Sequence, residues 1–209
     1  VVAWGAYQSD LPAGLTGVSK ISASRDHVLA LKTNGTVVAW GDNSQGQCNV
    51  PAGLTNVVAV AAGGLGSVAL KSDGMVVYWG NEMNGRGAIP AGLSGVTAIS
   101  AGWDFCLALK SDGTVASWGN TSNNGSGWAA NMPAGLTGVV AIQAGFSHAL
   151  ALKSDGSVVG WGSISDSPAT TRGAGVISLA AGLNSSIALK SDGTIIAWGN
   201  NNAGQLSSA

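Results

Sequence analysis

The phrase ALKSDG stands at Ala69–Gly74, Ala108–Gly113, Ala151–Gly156 and Ala188–Gly193, and a Trp-Gly pair closes each copy six residues later. A fifth version, ALKTNG, runs from Ala30 to Gly35 ahead of Trp40. Self-similarity at a fixed period means one supersecondary unit used again and again, so the repeat constrains the fold before any other feature does. The Trp-Gly pairs begin at Trp4, Trp40, Trp79, Trp118, Trp161 and Trp198, with spacings of 36, 39, 39, 43 and 37 residues. These lie near the period of about 40 residues seen in propeller blades.

Each unit reads as three short strands. The first is Val57–Ala61, matched by Val96–Ser100, Val139–Gln143 and Val176–Ala180. The second is Val68–Lys71 or Leu107–Lys110, and the third is Val76–Trp79 or Ile195–Trp198. Alternating β-branched and small residues over four to six positions suit strands rather than helices. Ser-Asp-Gly between the second and third strands tolerates positive φ and predicts a tight hairpin. A three-stranded unit with two apolar faces must stack on its neighbours. The small first strand suits the inner position near an axis, and the Trp of the third strand suits the wide outer wedge. The predicted fold is an all-β propeller of short three-stranded blades, with a β-solenoid as the alternative. The repeats run at about 18–56, 57–95, 96–138, 139–175 and 176–209, in one domain spanning 1–209.

Composition narrows the function classes. With 9 % charged residues and a net charge of −1, the chain shows no basic surface of the kind that displaces counterions from nucleic acid. An apolar fraction of 45 % is enough to build a core and argues against disorder. No apolar run approaches the roughly 20 residues of a membrane span. The chain opens on VVAWG, which elsewhere ends the repeated phrase, so no export signal is read in it. Cys48 and Cys106 fall at non-equivalent repeat positions without metal-site spacing, and both are expected to be free thiols.

Val-x-x-Ile-x-Ala-Gly, His/Ser-x-Leu-Ala-Leu-Lys and Asp-Gly-x-Val-x-x-Trp-Gly-x-Asn-x-x-Gly-Gln are carried by Ala144-Gly145, His148–Lys153, Asp155–Gly162 and Trp40–Gln47. The pattern resembles the regulator of chromosome condensation repeat. The compact spacing, with Val50–Ala52 and Ile89–Ala91 reading Val-Pro-Ala and Ile-Pro-Ala, is most similar to the branch of bacterial type II β-lactamase-inhibitory proteins. That resemblance implies three-stranded blades in a seven-bladed propeller, a protein partner held on one face, and an extracellular or cell-surface location. Guanine-nucleotide exchange, known for a eukaryotic branch, finds no task-specific residues to match.

The blade count is odd. Five complete units span Val18–Trp198, preceded by a lone third strand at Val1–Trp4, and seven blades would need about 270 residues at this period. Three resolutions stand open: a piece of a longer propeller, a smaller or open ring, or self-association through Val1–Gly5 as an exposed edge strand.

Strand direction then places the variable residues. The turn between strands one and two shares a face with the residues that follow Trp-Gly, and the uniform hairpins lie opposite. On the variable face the first turns contribute Arg25-Asp26, Trp103-Asp104-Phe105, Phe146-Ser147-His148 and Leu183-Asn184. Tyr7 and Met83 follow their Trp-Gly pairs, and Trp128 sits in the long loop Asn120–Met132. Aromatic anchors within a polar rim are what protein interfaces use, so these thirteen residues form the predicted partner-binding set. In the inhibitor-like branch the matching turns are aromatic; here only the third and fourth are.

Catalysis has little to work with. His27 and His148 are the only histidines and occupy equivalent repeat positions, which favours a structural role. Ser147, His148 and Asp104 could supply a serine-type triad, but no spacing demands it. Loops such as Asp42–Gln45 and Asn81–Asn84 lack the alternating carboxylates of a calcium site and read as ordinary turns, with sugar binding as a lesser alternative. No cofactor or metal is implied, and the expected activity is non-catalytic protein binding. The alternative is a structural segment of a larger surface assembly.

Overall fold

Every ALKSDG phrase closes a hairpin in the same way. Lys71 donates its N–H to the Met75 carbonyl at 2.9 Å, and Gly74 donates back to the Lys71 carbonyl at 3.0 Å. Gly74 sits at φ +82°, a left-handed conformation that costs a side-chain-bearing residue free energy. The Asp73 carboxylate accepts from the Met75 N–H at 3.0 Å, which locks the turn. In this computed structural model, residues 1–2, 10–119, 132–163 and 175–201 are described.

Fifteen strands among these residues form five antiparallel three-stranded sheets. The first sheet is β1 (Val18–Ala23), β2 (His27–Lys32) and β3 (Val37–Gly41). The second is β4 (Val57–Ala62), β5 (Gly66–Lys71) and β6 (Val76–Gly80), and the third is β7 (Val96–Ala101), β8 (Phe105–Lys110) and β9 (Val115–Gly119). The fourth is β10 (Val139–Ala144), β11 (His148–Lys153) and β12 (Val158–Gly162); the fifth is β13 (Val176–Ala181), β14 (Ser185–Lys190) and β15 (Ile195–Gly199). This is the all-β propeller architecture that the repeat predicts. In each sheet the first strand is innermost and carries a bulge; in the first, pairing steps from Val18–Lys32 to Lys20–Leu31 and leaves Ser19 unmatched.

The core is divided into four apolar clusters, one between each pair of consecutive sheets. Leu29 and Leu31 of the first sheet meet Val57, Ala69 and Trp79 of the second. Val68 and Leu70 meet Ala108 and Trp118, Leu107 and Leu109 meet Ile142 and Trp161, and Leu150 and Leu152 meet Leu179 and Trp198. The Trp of the third strand in the second to fifth sheets therefore fills the wide part of an inter-sheet wedge. Each such Leu, taken out of water, stabilises by roughly 1.5–3 kcal/mol.

The same positions are uncovered at the two ends of the series. Ile187 and Leu189 are 42 % and 37 % exposed, whereas their counterparts Leu29 and Leu31 are 0 % and 3 %. Ile21 is 63 % exposed, against 5 % for its counterpart Ile142. No strand pair of the first and fifth sheets packs with the closeness that joins consecutive sheets, so among the described residues the sheets form an open series. Of the predicted edge strand, Val1 and Val2 lie exposed outside any strand; Ala3–Gly5 fall outside the described residues.

Candidate functional site

The Trp-Gly pairs set the variable face. Gly41 has φ +104°, and a Cβ there would stand 2.6 Å from the Asp26 carbonyl oxygen; only glycine lets the chain pass so close. The next residue, Asp42, donates its N–H to that carbonyl at 2.7 Å. The same link joins Asn81 to Leu65 at 2.9 Å, Ser163 to Ser147 at 2.8 Å and Asn200 to Asn184 at 2.9 Å. First turns and post-Trp-Gly segments therefore share one face, as strand direction predicts.

Around the axis the first turns are bonded to one another. Gly64 N–H donates to the Gly102 carbonyl at 3.0 Å, Trp103 N–H to the Phe146 carbonyl at 3.0 Å, and Phe146 N–H to the Gly182 carbonyl at 3.1 Å. They enclose a basin of about 260 Å³ whose floor is made of alanine and glycine from the ends of the inner strands. Trp103, Phe146, Arg25 and Leu183 rise around it. The Trp103 and Phe146 rings stack with centroids 4.6 Å apart and planes at 24°, inside the favoured range for aromatic pairs. A Cβ on Gly64 would come within 2.5 Å of the Trp103 indole, so that ring rests on bare backbone from the neighbouring sheet.

The structure sorts the predicted set. Arg25, Trp103, Phe146 and Leu183 line the basin, with the Leu183 residue 60 % exposed. Asp26 lies beside Arg25, its carboxylate 3.6 Å from Nε, and Asn184 is exposed next to Leu183. Met83 is 70 % exposed on a short 3-10 turn, Met83–Gly85, and does not line the basin. Tyr7 and Trp128 lie outside the described residues.

Three residues are corrected. Phe105 is not a turn tip: it opens β8, is 1 % exposed and packs in the apolar cluster between the third and fourth sheets. Ser147 and His148 are also buried, at 8 % and 1 %. His148 Nε2 bonds the Ser186 hydroxyl at 2.8 Å and Nδ1 bonds none of the described residues, so the Ser147–His148–Asp104 grouping has no nucleophile–base hydrogen bond. Burial holds the His148 pKa below its ordinary value.

Asp104 is directed inward, 3.9 Å from the Arg86 guanidinium. Arg86 is 5 % exposed, donates to Asn81 Oδ1 at 3.2 Å, and gives its own carbonyl to the Trp118 indole N–H at 3.0 Å. It occupies the repeat position of Gln47, whose carbonyl serves Trp79 in the same way at 2.9 Å. Sequence reading missed Arg86 and Gly64. The signal lay in the second unit, where Gly64, Gly66, Tyr78 and Arg86 depart from the other repeats together. Gly66 makes room for the Tyr78 hydroxyl, which a Cβ would meet at 2.1 Å.

Both cysteines are free; burial pushes the Cys106 thiol up to about 12 and the Cys48 thiol to about 11. Among the described residues no cluster of three or more His, Cys, Asp or Glu is placed to hold a metal. No helix among them is long and apolar enough to cross a membrane.

A rigid set of repeated sheets carrying variable turns on one face defines a repeat propeller. The regulator of chromosome condensation (RCC1) repeat is found at residues 18–47, 96–127, 139–166 and 176–205. These segments cover more than half of the chain, and the protein belongs to that family.

A comparison with curated proteins returns no match. Among solved structures, the ectodomain of the Physcomitrella patens receptor kinase CR4 superposes with a TM-score of 0.78 at 26 % identity, over 93 % of this chain and 54 % of that one. Human WBSCR16 gives 0.75 at 24 % identity, over 90 % and 63 %. Prp20p of Saccharomyces cerevisiae, described with its binding to Gsp1p and histones, gives 0.68 at 23 %, over 87 % and 58 %. The chain thus spans between about half and two thirds of these proteins.

Proposed function

We propose that the chain is a non-catalytic protein-binding module that engages its partner through the variable face. The observation that carries this reading is the Trp103–Phe146 stack, 4.6 Å between centroids, standing beside a concave axial basin rather than inside a core cluster. Large rings held rigidly at a concave surface lose little entropy on binding and act as anchors. Binding of Gsp1p and histones by Prp20p is consistent with a propeller of this repeat serving as a protein-binding scaffold. An extracellular location, and an inhibitor-like role, belong to the same reading. The test is capture of partner by immobilised protein: Trp103→Ala with Phe146→Ala should abolish it while the β-type circular dichroism is retained. Unchanged capture by that double variant removes this face from consideration.

A second reading, a structural unit that self-associates or joins a larger assembly, is favoured by the uncovered face of the fifth sheet. Ile187, Leu189 and Ile195 are 42 %, 37 % and 55 % exposed there. Light scattering decides it: particle mass should exceed one chain, and Ile187→Asp with Leu189→Asp should reduce it. Deleting Val1–Gly5 tells whether the terminal segment contributes. A monomer at every concentration ends this reading.

A further inference from the structure

Of the described residues that line the axial basin, Arg25 is the only ionisable one. Its side chain is 75 % exposed, and the contact to Asp26 runs from Nε at 3.6 Å, longer than a hydrogen bond. The rest of the lining is backbone, alanine, one serine and the apolar groups of Trp103, Phe146 and Leu183. At about 260 Å³ the basin falls below the range of roughly 300–1,000 Å³ usual for small-molecule sites. It has room for one large side chain.

We propose that this basin is an anchor site for a single aromatic side chain of the partner protein, flanked in the partner's sequence by a carboxylate that meets Arg25. The inference rests on the protein-binding reading above and adds the chemistry of the bound segment. Three features select an aromatic group. The wall is an aromatic stack against which a further ring can pack edge-on or offset. The floor is small and preformed, because the turn-to-turn backbone bonds fix it. The Trp103 ring is braced from behind by Gly64, so its position is set before binding.

The carboxylate follows from charge. A guanidinium offers a planar fork that pairs with a carboxylate through two parallel hydrogen bonds, and Arg25 has no such partner in its contact with Asp26. A lysine or arginine in the partner at this point would meet the same positive charge without a compensating group among the described lining residues.

The test uses the intact chain and three capped dipeptides: acetyl-Phe-Asp-amide, acetyl-Phe-Lys-amide and acetyl-Ala-Asp-amide. Amide chemical shifts of Gly102, Gly145 and Gly182 report occupancy. Phe-Asp should shift them saturably, with a Kd about three- to fivefold below that of Phe-Lys, the size of an exposed charge contact; Ala-Asp should leave them in place. Arg25→Gln should erase the preference for Asp over Lys while keeping Phe-dependent shifts. Trp103→Ala should remove binding of both Phe peptides. Leu183→Ser, at an exposed position, should weaken both with the fold intact.

Absent shifts at the three glycines, or equal affinity for Phe-Asp and Phe-Lys, overturns the proposal. Failure of the peptides, with partner capture still dependent on Trp103 and Phe146, discards this anchor and leaves the protein-binding reading standing. Peptide binding with capture indifferent to the double variant does the reverse.

Discussion

His27 of the first sheet and Ser67 of the second are joined across the inter-sheet boundary by a hydrogen bond of 2.8 Å. The Ser67 hydroxyl donates onward to the Gln47 carbonyl at 2.8 Å, so it must accept from His27, which places the proton on Nε2. Nδ1 then accepts from the Ser24 hydroxyl at 2.9 Å. Between the third and fourth sheets, the equivalent positions hold Phe105 and Ala149, which share one apolar cluster. The repeat therefore tolerates either a polar pair or an apolar pair at this boundary. A mixed pair leaves a buried polar group short of one hydrogen bond. His27→Phe alone and Ser67→Ala alone should each cost about 1–3 kcal/mol, and the double variant should cost less than the sum. Urea melts in a double-mutant cycle measure the coupling; additive effects would show that the two positions are independent.

The same histidines make stability sensitive to acid. Burial lowers the His27 pKa to about 4, against the opposing influence of Asp26 and Asp42, and burial also lowers that of His148. The folded state thus holds both rings neutral while the unfolded chain binds protons near pH 6.5. Their contribution is complete above pH 6.5 and falls on acidification, that of His27 being lost as the pH falls toward 4. Thermal melts from pH 7.5 to 4.5 should show a falling Tm, and the His27→Phe/Ser67→Ala variant should fall less steeply. A Tm that rises on acidification over this window contradicts the assignment.

Glycines in this repeat are not interchangeable. Gly80 combines φ +107° with the Leu65 carbonyl 2.8 Å from any added Cβ, whereas Gly53 has φ +75° and open space. Gly53→Ala should cost about 1–2 kcal/mol, the conformational penalty alone. Gly80→Ala adds a backbone collision and should cost 3 kcal/mol or more, on the order of the largest single-substitution effects. Chemical denaturation of the two variants checks this directly. Equal losses would mean that the close approach of the first turn is unimportant.

Strands, hairpins and the shared face of the variable turns were legible in the sequence because they follow from local rules. Alternation, Asp-Gly and the Trp-Gly spacing recur in each unit, and each copy corroborates the others. The site was only half legible. Trp103 and Phe105 stand two residues apart and look alike in a sequence, yet one rims the basin and the other fills the core. The difference arises because Phe105 occupies the repeat position of His27 and His148, which point into the next sheet. His148 was misplaced for the same reason. The bracing of Trp103 by Gly64 joins residues 39 positions apart across two sheets, and no local pattern announces such a contact.

The uncovered end of the series yields the last prediction. Leu107 is 0 % exposed and Ile187, at the equivalent place in the fifth sheet, is 42 % exposed. Leu107 packs against Ile142, Ala151 and Trp161, so Leu107→Ala loses transfer free energy and leaves a cavity, together about 2–5 kcal/mol. Among the described residues no sheet lies beyond Ile187. Ile187→Ala should therefore cost less than about 1.5 kcal/mol in dilute solution, the loss of a half-buried side chain with no cavity behind it. The comparison is best made by equilibrium unfolding at two protein concentrations. A small cost at low concentration that grows at high concentration shows that another molecule covers this face. A cost matching that of Leu107→Ala at both concentrations would mean that the face is already covered within the chain, and that the open series of sheets is wrong.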